Sequence, residues 1–281
     1  MPELPEVETV VRQLAEHLPD HRVREVSVFR PNLLNEPPEA FRRALQGSLI
    51  HSVARRGKNI VISVSHPGFL VVNLGMTGQL LFHPSLPRFS DAPGDGLPSH
   101  LAVAFTLEPT AALLYVDIRR FGSLRLFTPE EWGRESARLG PEPLGTDLTV
   151  DGFFQGLSRS RSPIRSWLLD QTRIAGIGNI YACEALFRAG IHPQAPARSV
   201  DRSAASRLLT AVRTVLSDAV RAQGTTLRDY RTARGEQGGF GPSLEAYGRE
   251  GAPCLRCKDP IVRIVFGNRS AFFCPTCQPS L

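Results

Sequence analysis

The sequence predicts a multidomain α+β protein: an N-terminal β-sandwich with an N-terminal helix, then a helical domain, then a C-terminal zinc-finger β-hairpin. Three observations predict it. Eight short apolar and β-branched runs between Arg24 and Phe127 recur at the spacing of sandwich strands. From Pro129 onward the periodicity becomes helical. Near the C-terminus, Cys254-Leu255-Arg256-Cys257 is followed by Cys274-Pro275-Thr276-Cys277, a C-x2-C…C-x2-C spacing.

Taken in order, Val7, Val10, Val11, Leu14 and Leu18 follow helical spacing, so the chain from Pro5 to about His17 is expected to be a helix docked by one face. Strands are expected at Arg24 to Phe29, Ser48 to Ala54, Ile60 to Ser65, Leu70 to Leu74, Gln79 to Phe82, Leu101 to Leu107, Leu113 to Asp117 and Ser123 to Phe127. Pro84 to Pro98 reads as a Pro/Gly-rich loop. After a Gly140 to Gly145 linker, helices are expected near Gly152 to Leu157, Pro163 to Gln171, Asn179 to Arg188 and Asp201 to Gln223. Thr225 to Pro242 is glycine-rich, carries Arg228, Arg231 and Arg234, and reads as a mobile loop, either a lid or a linker.

The N-terminus carries the sharpest chemical signal. Removal of Met1 makes Pro2 a free secondary amine beside Glu3 and Glu6. An α-amine with a pKa of about 8 keeps roughly a tenth of its molecules neutral near pH 7, a fraction that can attack electrophilic carbon without a separate base. The iminium it forms stays cationic and acts as an electron sink, which is the chemistry of a Schiff-base lyase. The same residues also fit ordinary helix-starting grammar, with Pro5 in the first turn and the acids facing the dipole; both readings hold together.

The four cysteines close a tetrahedral site with no position left for water, so the zinc they imply is structural. Ile261 to Val265 and Ala271 to Phe273 read as the hairpin between the knuckles, and a disulfide pair is the alternative. Cys183, on an apolar helical face, reads as packing.

The chain of 281 residues is 42% hydrophobic, and without an apolar run near 18 residues no membrane span is expected and a cytoplasmic location is. A formal charge of +6 suggests a polyanionic partner. Of 33 basic residues only Lys58 and Lys258 are lysines, and Lys258 sits in the zinc turn, so Lys58 is the other internal amine placed for chemistry. Three clusters carry nucleic-acid logic. Arg55-Arg56-Gly57-Lys58 reads as a phosphate-facing turn or a solvated basic turn. In Asp117 to Gly122, Arg119 and Phe121 share a side of an extended segment, as a base-reading arginine with a wedge aromatic, or as a core Phe beside a surface Arg. Gly176-Ile177-Gly178-Asn179 opens a helix and reads as a phosphate site or an ordinary cap, with Arg159, Arg161, Arg165 and Arg173 clustered just before it.

In chain order, Pro2-Glu3-Leu4-Pro5-Glu6-Val7-Glu8, Lys58, Leu74-Gly75-Met76-Thr77-Gly78, the Asp117 to Gly122 cluster, Gly178-Asn179-Ile180-Tyr181-Ala182, Tyr247-Gly248-Arg249 and the four cysteines resemble the bacterial formamidopyrimidine-DNA glycosylases. The resemblance spans essentially the whole chain, and its Glu3-Leu4-Pro5 beginning is less like the sister endonuclease VIII branch. It implies a catalytic β-sandwich domain (1–132), a linker (133–150), a helix-two-turn-helix domain (151–224), a flexible lesion-recognition loop (225–243) and a zinc finger (244–281), with damaged double-stranded DNA bound in the cleft. It implies a monomer of the bacterial cytosol or nucleoid that excises 8-oxoguanine and formamidopyrimidines and then cuts the strand. By the same resemblance Pro2 attacks the sugar C1′, Glu3 is the general acid/base, Glu6 supports it, Lys58 assists the sugar chemistry or holds a phosphate, and Arg269 serves the flipped nucleotide's phosphate and δ-elimination. Met76, Arg119 and Phe121 fill the gap left by the extruded base; His100, Arg161 and Asn179 contact phosphates, and Cys254, Cys257, Cys274 and Cys277 hold one Zn2+. Two positions depart: Asn73 stands where His is common and cannot titrate, and Arg165 stands where Lys is common, keeping the charge of a close DNA contact with different geometry. An oxidised-pyrimidine glycosylase of the endonuclease VIII type and a catalytically silent lesion binder are the competing readings.

Overall fold

Helix α1 (Leu4–Ala15) forms because Pro5 needs no amide partner in a first turn and Val7, Val10, Val11 and Leu14 share one face, which is buried. The computed structural model describes residues 2–85, 98–266 and 268–280. After α1 come β1 (Arg22–Val28), α2 (Pro38–Leu45), β2 (Ile50–Arg56), β3 (Asn59–Val64), β4 (Phe69–Asn73), β5 (Gly78–His83), β6 (Leu101–Glu108), β7 (Ala111–Asp117), β8 (Ser123–Phe127) and α3 (Pro129–Ser136). The expected Pro84 to Pro98 loop falls mostly at 86–97, outside the described residues. Helix α2 leaves little trace in periodicity, since it buries only Phe41 and Leu45.

The strands make two antiparallel four-stranded sheets, ordered β1-β6-β7-β5 and β2-β3-β4-β8. Alternation decides what each face meets. Ile60, Ile62 and Val64 of β3 join Val7 and Val10 of α1 and Phe105, Leu113 and Tyr115 of the other sheet in one core, whereas Val61 and Val71 turn away to Phe127 and Trp132. This is a two-layer sandwich with α1 packed into its core.

The contacts divide the chain into two compact units, Met1–Ala137 with Gln223–Gly239, and Arg138–Ala222 with Phe240–Leu281. The second unit contains α4 (Val150–Ser158), α5 (Ile164–Leu169), α6 (Asn179–Ala189), α7 (Arg202–Arg221) and the hairpin β9 (Val262–Phe266) and β10 (Arg269–Phe273). Helix α7 starts where the Asp201 carboxylate accepts the Ala204 N–H at 2.7 Å and buries Leu208, Val212, Val215 and Ala219 at helical spacing. Helix α6 ends at Gly190, whose φ of 70° favours glycine. Among the described residues no helix is long and apolar enough to cross a membrane.

Candidate functional site

Pro2 and the head of α1 are recessed. Pro2 is buried, and Glu3 and Glu6 are 2% and 1% exposed. Glu3 and Glu6 form a capping box at the head of α1, with Glu6 Oε2 accepting the Glu3 N–H at 2.8 Å. The other carboxylate oxygen, Oε1, accepts the Thr225 N–H at 2.7 Å. Glu6 is thereby committed to backbone donors, and it holds in place the peptide on which Pro2 sits. Gly224 makes this approach possible: its φ is 85°, and a Cβ there would lie 2.9 Å from Glu6 Oε1. Tyr230, 6% exposed, donates its hydroxyl to Gln223 O at 3.1 Å and Glu6 O at 3.3 Å, and burial pushes its pKa far above the ordinary phenol range.

The arginine-rich segment after α7, expected to be a mobile loop, is therefore held to the first unit at several points. Gln79 Nε2 donates to Asp229 O at 2.6 Å, and Phe82 N–H to Ala233 O at 3.0 Å. Sequence reasoning missed Thr225 and Tyr230; a lone tyrosine among glycines and arginines was the available signal.

Arg55 and Arg56 of the basic turn serve the fold. Arg55 Nε donates to Glu8 Oε2 at 2.8 Å and its Nη1 to Gly57 O at 3.0 Å, while Arg56 Nη2 donates to Ser136 O at 3.2 Å. Burial raises the Glu8 pKa, but Arg12 and Arg55 outweigh it and hold the carboxyl below its usual value. The Glu8–Arg55 pair fastens α1 to the β2–β3 turn that carries Lys58, which is half-buried.

At the end of the sheet where Asn59, after the basic turn, pairs with Asn73, Met76 and Phe121 are 38% and 60% exposed, unusual for large apolar side chains. The Arg119 guanidinium lies 4.7 Å from the Phe121 ring centroid. The loops carrying them touch: a Cβ on Gly75 would lie 2.5 Å from Gly122 N. His100 is exposed and adopts a φ of 67°.

In the second unit, Arg161 and Arg269 are exposed. Arg165, expected at the DNA surface, is 1% exposed. Its Nε and Nη2 donate to Asn179 Oδ1 at 3.1 and 2.5 Å, its Nη2 also to Ser270 O at 3.1 Å, and its guanidinium lies 4.7 Å from the Phe266 ring centroid. Asn179 Nδ2 donates to the same Ser270 carbonyl at 2.9 Å, and its second N–H is chemically a further donor. Asn179 is thus the first residue of α6 and also a strut to β10, one residue from Arg269. Arg165→Met removes the fork but keeps most of the volume. It is expected to destabilise this unit by about 1–3 kcal/mol in urea unfolding, with zinc content unchanged and Arg165→Lys intermediate.

The four cysteines come together as the spacing requires. Cys254 and Cys277 Sγ lie 3.9 Å apart, Cys257 and Cys274 Sγ 3.3 Å, and all four within 4.8 Å. Zn–S bonds of about 2.3 Å at tetrahedral angles put sulfurs about 3.8 Å apart, whereas a disulfide needs about 2.05 Å, so the set fits zinc and not paired disulfides. N–H groups of Arg256 and Cys277 point at Cys254 and Cys274 Sγ, both at 3.4 Å, favouring thiolates. Two buried side chains tie this finger to α6 and to the residues just after it. Glu184 accepts the N–H groups of Glu245, Ala246 and Tyr247 at 2.7–2.9 Å, and Gln278 bridges Cys274 N–H and Ile191 O at 3.0 and 2.8 Å. Burial raises the Glu184 pKa, with those three amides working against it. Cys183 is buried, as packing requires.

Comparison with known proteins agrees along the chain. Residues 1–124 match the formamidopyrimidine-DNA glycosylase N-terminal domain, 139–231 the H2TH domain of the same enzymes, and 251–279 a zinc finger found in FPG and IleRS. The chain is 42% identical over 280 residues to the formamidopyrimidine-DNA glycosylase of Herpetosiphon aurantiacus, covering 99% of this chain and 100% of that protein. Among solved structures, the MutM (Fpg) protein from Thermus thermophilus superposes with a TM-score of 0.86 at 40% identity, covering 99% of this chain and 98% of that one. A Lactococcus lactis FPG variant in complex with Fapy-dG-containing DNA superposes with a TM-score of 0.90 at 30% identity, covering 99% and 100%. A sandwich headed by a clamped Pro2, a helical domain of the H2TH type and a four-cysteine finger, matched over the full length, place this chain in the formamidopyrimidine-DNA glycosylase family.

Proposed function

We propose that the protein is a bifunctional DNA glycosylase and abasic-site lyase that removes oxidised purines, 8-oxoguanine and formamidopyrimidines, from duplex DNA. The observation that carries this reading is the buried Pro2 at the head of α1, where Glu6 accepts the backbone amides of Glu3 and of Thr225, the latter 219 positions away. Ends ordinarily fray, and a nucleophile gains near-attack geometry only when its peptide is held.

In this mechanism the Pro2 nitrogen attacks C1′ of the damaged nucleotide and the C1′–N bond to the base breaks, its electrons leaving with the base. Glu3 supplies a proton as the sugar ring opens, giving the iminium at C1′. Loss of a C2′ proton then expels the 3′ phosphate, and a second elimination, in which Arg269 takes part, expels the 5′ phosphate. Glu6 positions Pro2, and Lys58 assists the sugar chemistry or holds a phosphate. Met76, Arg119 and Phe121 occupy the space of the extruded base, with Arg119 reading the base opposite. His100, Arg161 and Asn179 hold backbone phosphates, and Arg165 acts behind Asn179. Cys254, Cys257, Cys274 and Cys277 hold one structural zinc, whose contribution is to fold the finger. The site of action is the bacterial cytosol or nucleoid, and the working form is a monomer.

Incubation with a duplex carrying 8-oxoguanine opposite cytosine, followed by borohydride, is expected to trap a covalent adduct that peptide mass spectrometry places on Pro2. Faster processing of thymine glycol than of 8-oxoguanine would move the protein to pyrimidine lesions. Binding with neither trapping nor cleavage would leave a silent binder.

A further inference from the structure

Asp117, the last residue of β7, is 1% exposed and forms no ion pair among the described residues. Its carboxylate is satisfied by neutral donors from two loops. Oδ1 accepts the Thr77 hydroxyl at 2.6 Å and the Arg119 N–H at 3.2 Å, and Oδ2 accepts the Gly122 N–H at 2.9 Å. The Arg119 N–H also points at Thr77 Oγ1, at 2.9 Å. Thr77 follows Met76 and precedes β5; Arg119 and Gly122 bracket a turn in which Arg120 adopts a φ of 56°. One buried carboxylate therefore joins the loop bearing Met76 to the loop bearing Arg119 and Phe121.

The surroundings leave the two loops little freedom. A Cβ on Gly122 would lie 1.8 Å from Tyr115 Oη and 2.6 Å from Asn73 O, and the Tyr115 hydroxyl itself donates to Asn73 O at 3.2 Å. Burial, and then the negative charge of Asp117, push the Tyr115 pKa far above the phenol range, so this hydroxyl remains a donor. Buried charge is costly unless its hydrogen bonds are made, and the Thr77, Arg119 and Gly122 donors that satisfy it here belong to the two loops.

Resting on the function proposed above, we propose that Asp117 and Thr77 are positioning residues for base extrusion. They hold Met76, Arg119 and Phe121 as one rigid wedge, so that the side chains entering the stack pay no ordering cost when they displace a base. Neither residue touches the reacting sugar in this reading. Their effect falls on steps that need the wedge, and the chemistry at Pro2 is spared.

Thr77→Val removes the hydroxyl link, Thr77→Ser keeps it, and Asp117→Asn sets an amide N–H against the Gly122 N–H or against the Thr77 and Arg119 donors. Thr77→Val and Asp117→Asn are expected to slow 8-oxoguanine excision from duplex on the order of ten-fold and to reduce the preference for cytosine over adenine opposite the lesion. Borohydride trapping on a single-stranded abasic site, which needs no extrusion, is expected to stay within about two-fold, and Thr77→Ser to behave as the unsubstituted protein. Unchanged duplex excision in both variants, or trapping that falls in step with excision, overturns the proposal. Amide hydrogen exchange in the free protein separates the two levels of inference. Protection at Arg119 and Gly122 that is lost in Asp117→Asn supports the clamp, and protection that persists overturns it. An unsubstituted protein that traps no lesion DNA overturns the glycosylase reading instead.

Discussion

Pro2→Gly is expected to lower the borohydride-trapped adduct on an abasic duplex by about a hundred-fold, with duplex binding little changed. The substitution leaves an amine at the same place in the chain, so the loss isolates two properties of proline. The first is chemical: a secondary amine gives an iminium that keeps its charge without a proton, whereas glycine gives an imine that must be protonated before C2′ becomes acidic. The second is geometric. Proline's ring blocks rotation about its N–Cα bond and so fixes the direction of the nitrogen lone pair, and its carbonyl leads into Glu3, whose N–H is held by Glu6 at 2.8 Å. Glycine in that position regains the freedom that the capping box and the Thr225 bond are arranged to remove. The measurement is the rate of adduct formation at saturating DNA, which separates chemistry from binding. Undiminished trapping in Pro2→Gly would move the nucleophile elsewhere, with Lys58 the next amine to examine by peptide mapping.

How much of this was legible in the sequence depends on the range over which the information is written. Helix α1, its apolar face and the cysteine knuckles are local patterns, and the structure places α1 at Leu4–Ala15 and the finger strands at Val262–Phe266 and Arg269–Phe273. The sandwich strands follow for the same reason, since alternation reports a half-buried face without naming its partner. What could not be read locally is the layer behind the site. Glu6 finds Thr225 across 219 positions, and Arg165 finds Ser270 across 105. The arginines were the least legible residues. Arg55 and Arg165 have the same composition signal as Arg161 and Arg269, yet the first two are drawn inward by Glu8 and Asn179 and the last two are exposed. Whether a guanidinium faces phosphate or folds the chain is decided by an acceptor remote in sequence, and a charge count cannot see that acceptor. The wedge stands between these cases: Phe121 was legible as either core or wedge, and its exposure supports the wedge.

Removal of the metal, by chelation or by Cys257→Ser, is expected to have the second large effect, and to act on the second unit. Among the described residues the finger's buried apolar support is small: a cluster of Phe187, Ala246, Cys254, Ile261 and Cys274, two of whose five members are themselves ligands, with Ala271 and Phe273 of β10 also buried. A cluster of that size does not offset the ordering entropy of a hairpin with two knuckles, whereas structural zinc contributes about 10–16 kcal/mol in comparable fingers. Unfolding β9 and β10 carries away Arg269 and also the Ser270 carbonyl that Arg165 and Asn179 share. Both the exposed cation and the strut behind Asn179 are then lost. Elemental analysis is expected to give one zinc per chain before treatment and none after. Duplex affinity is expected to fall at least about ten-fold, and the slope of log affinity against log salt to shrink by about one to two phosphate contacts, each about 0.9 in slope. Reductive alkylation of Pro2 by a small aldehyde tests the other unit in the same sample. Glu6, Thr225 and Tyr230 all belong to the first unit, so the labelling rate is expected to persist while DNA binding falls. Metal-free protein that binds duplex with an unchanged salt slope would mean that the finger holds no phosphate, and Arg269 would lose its assigned role.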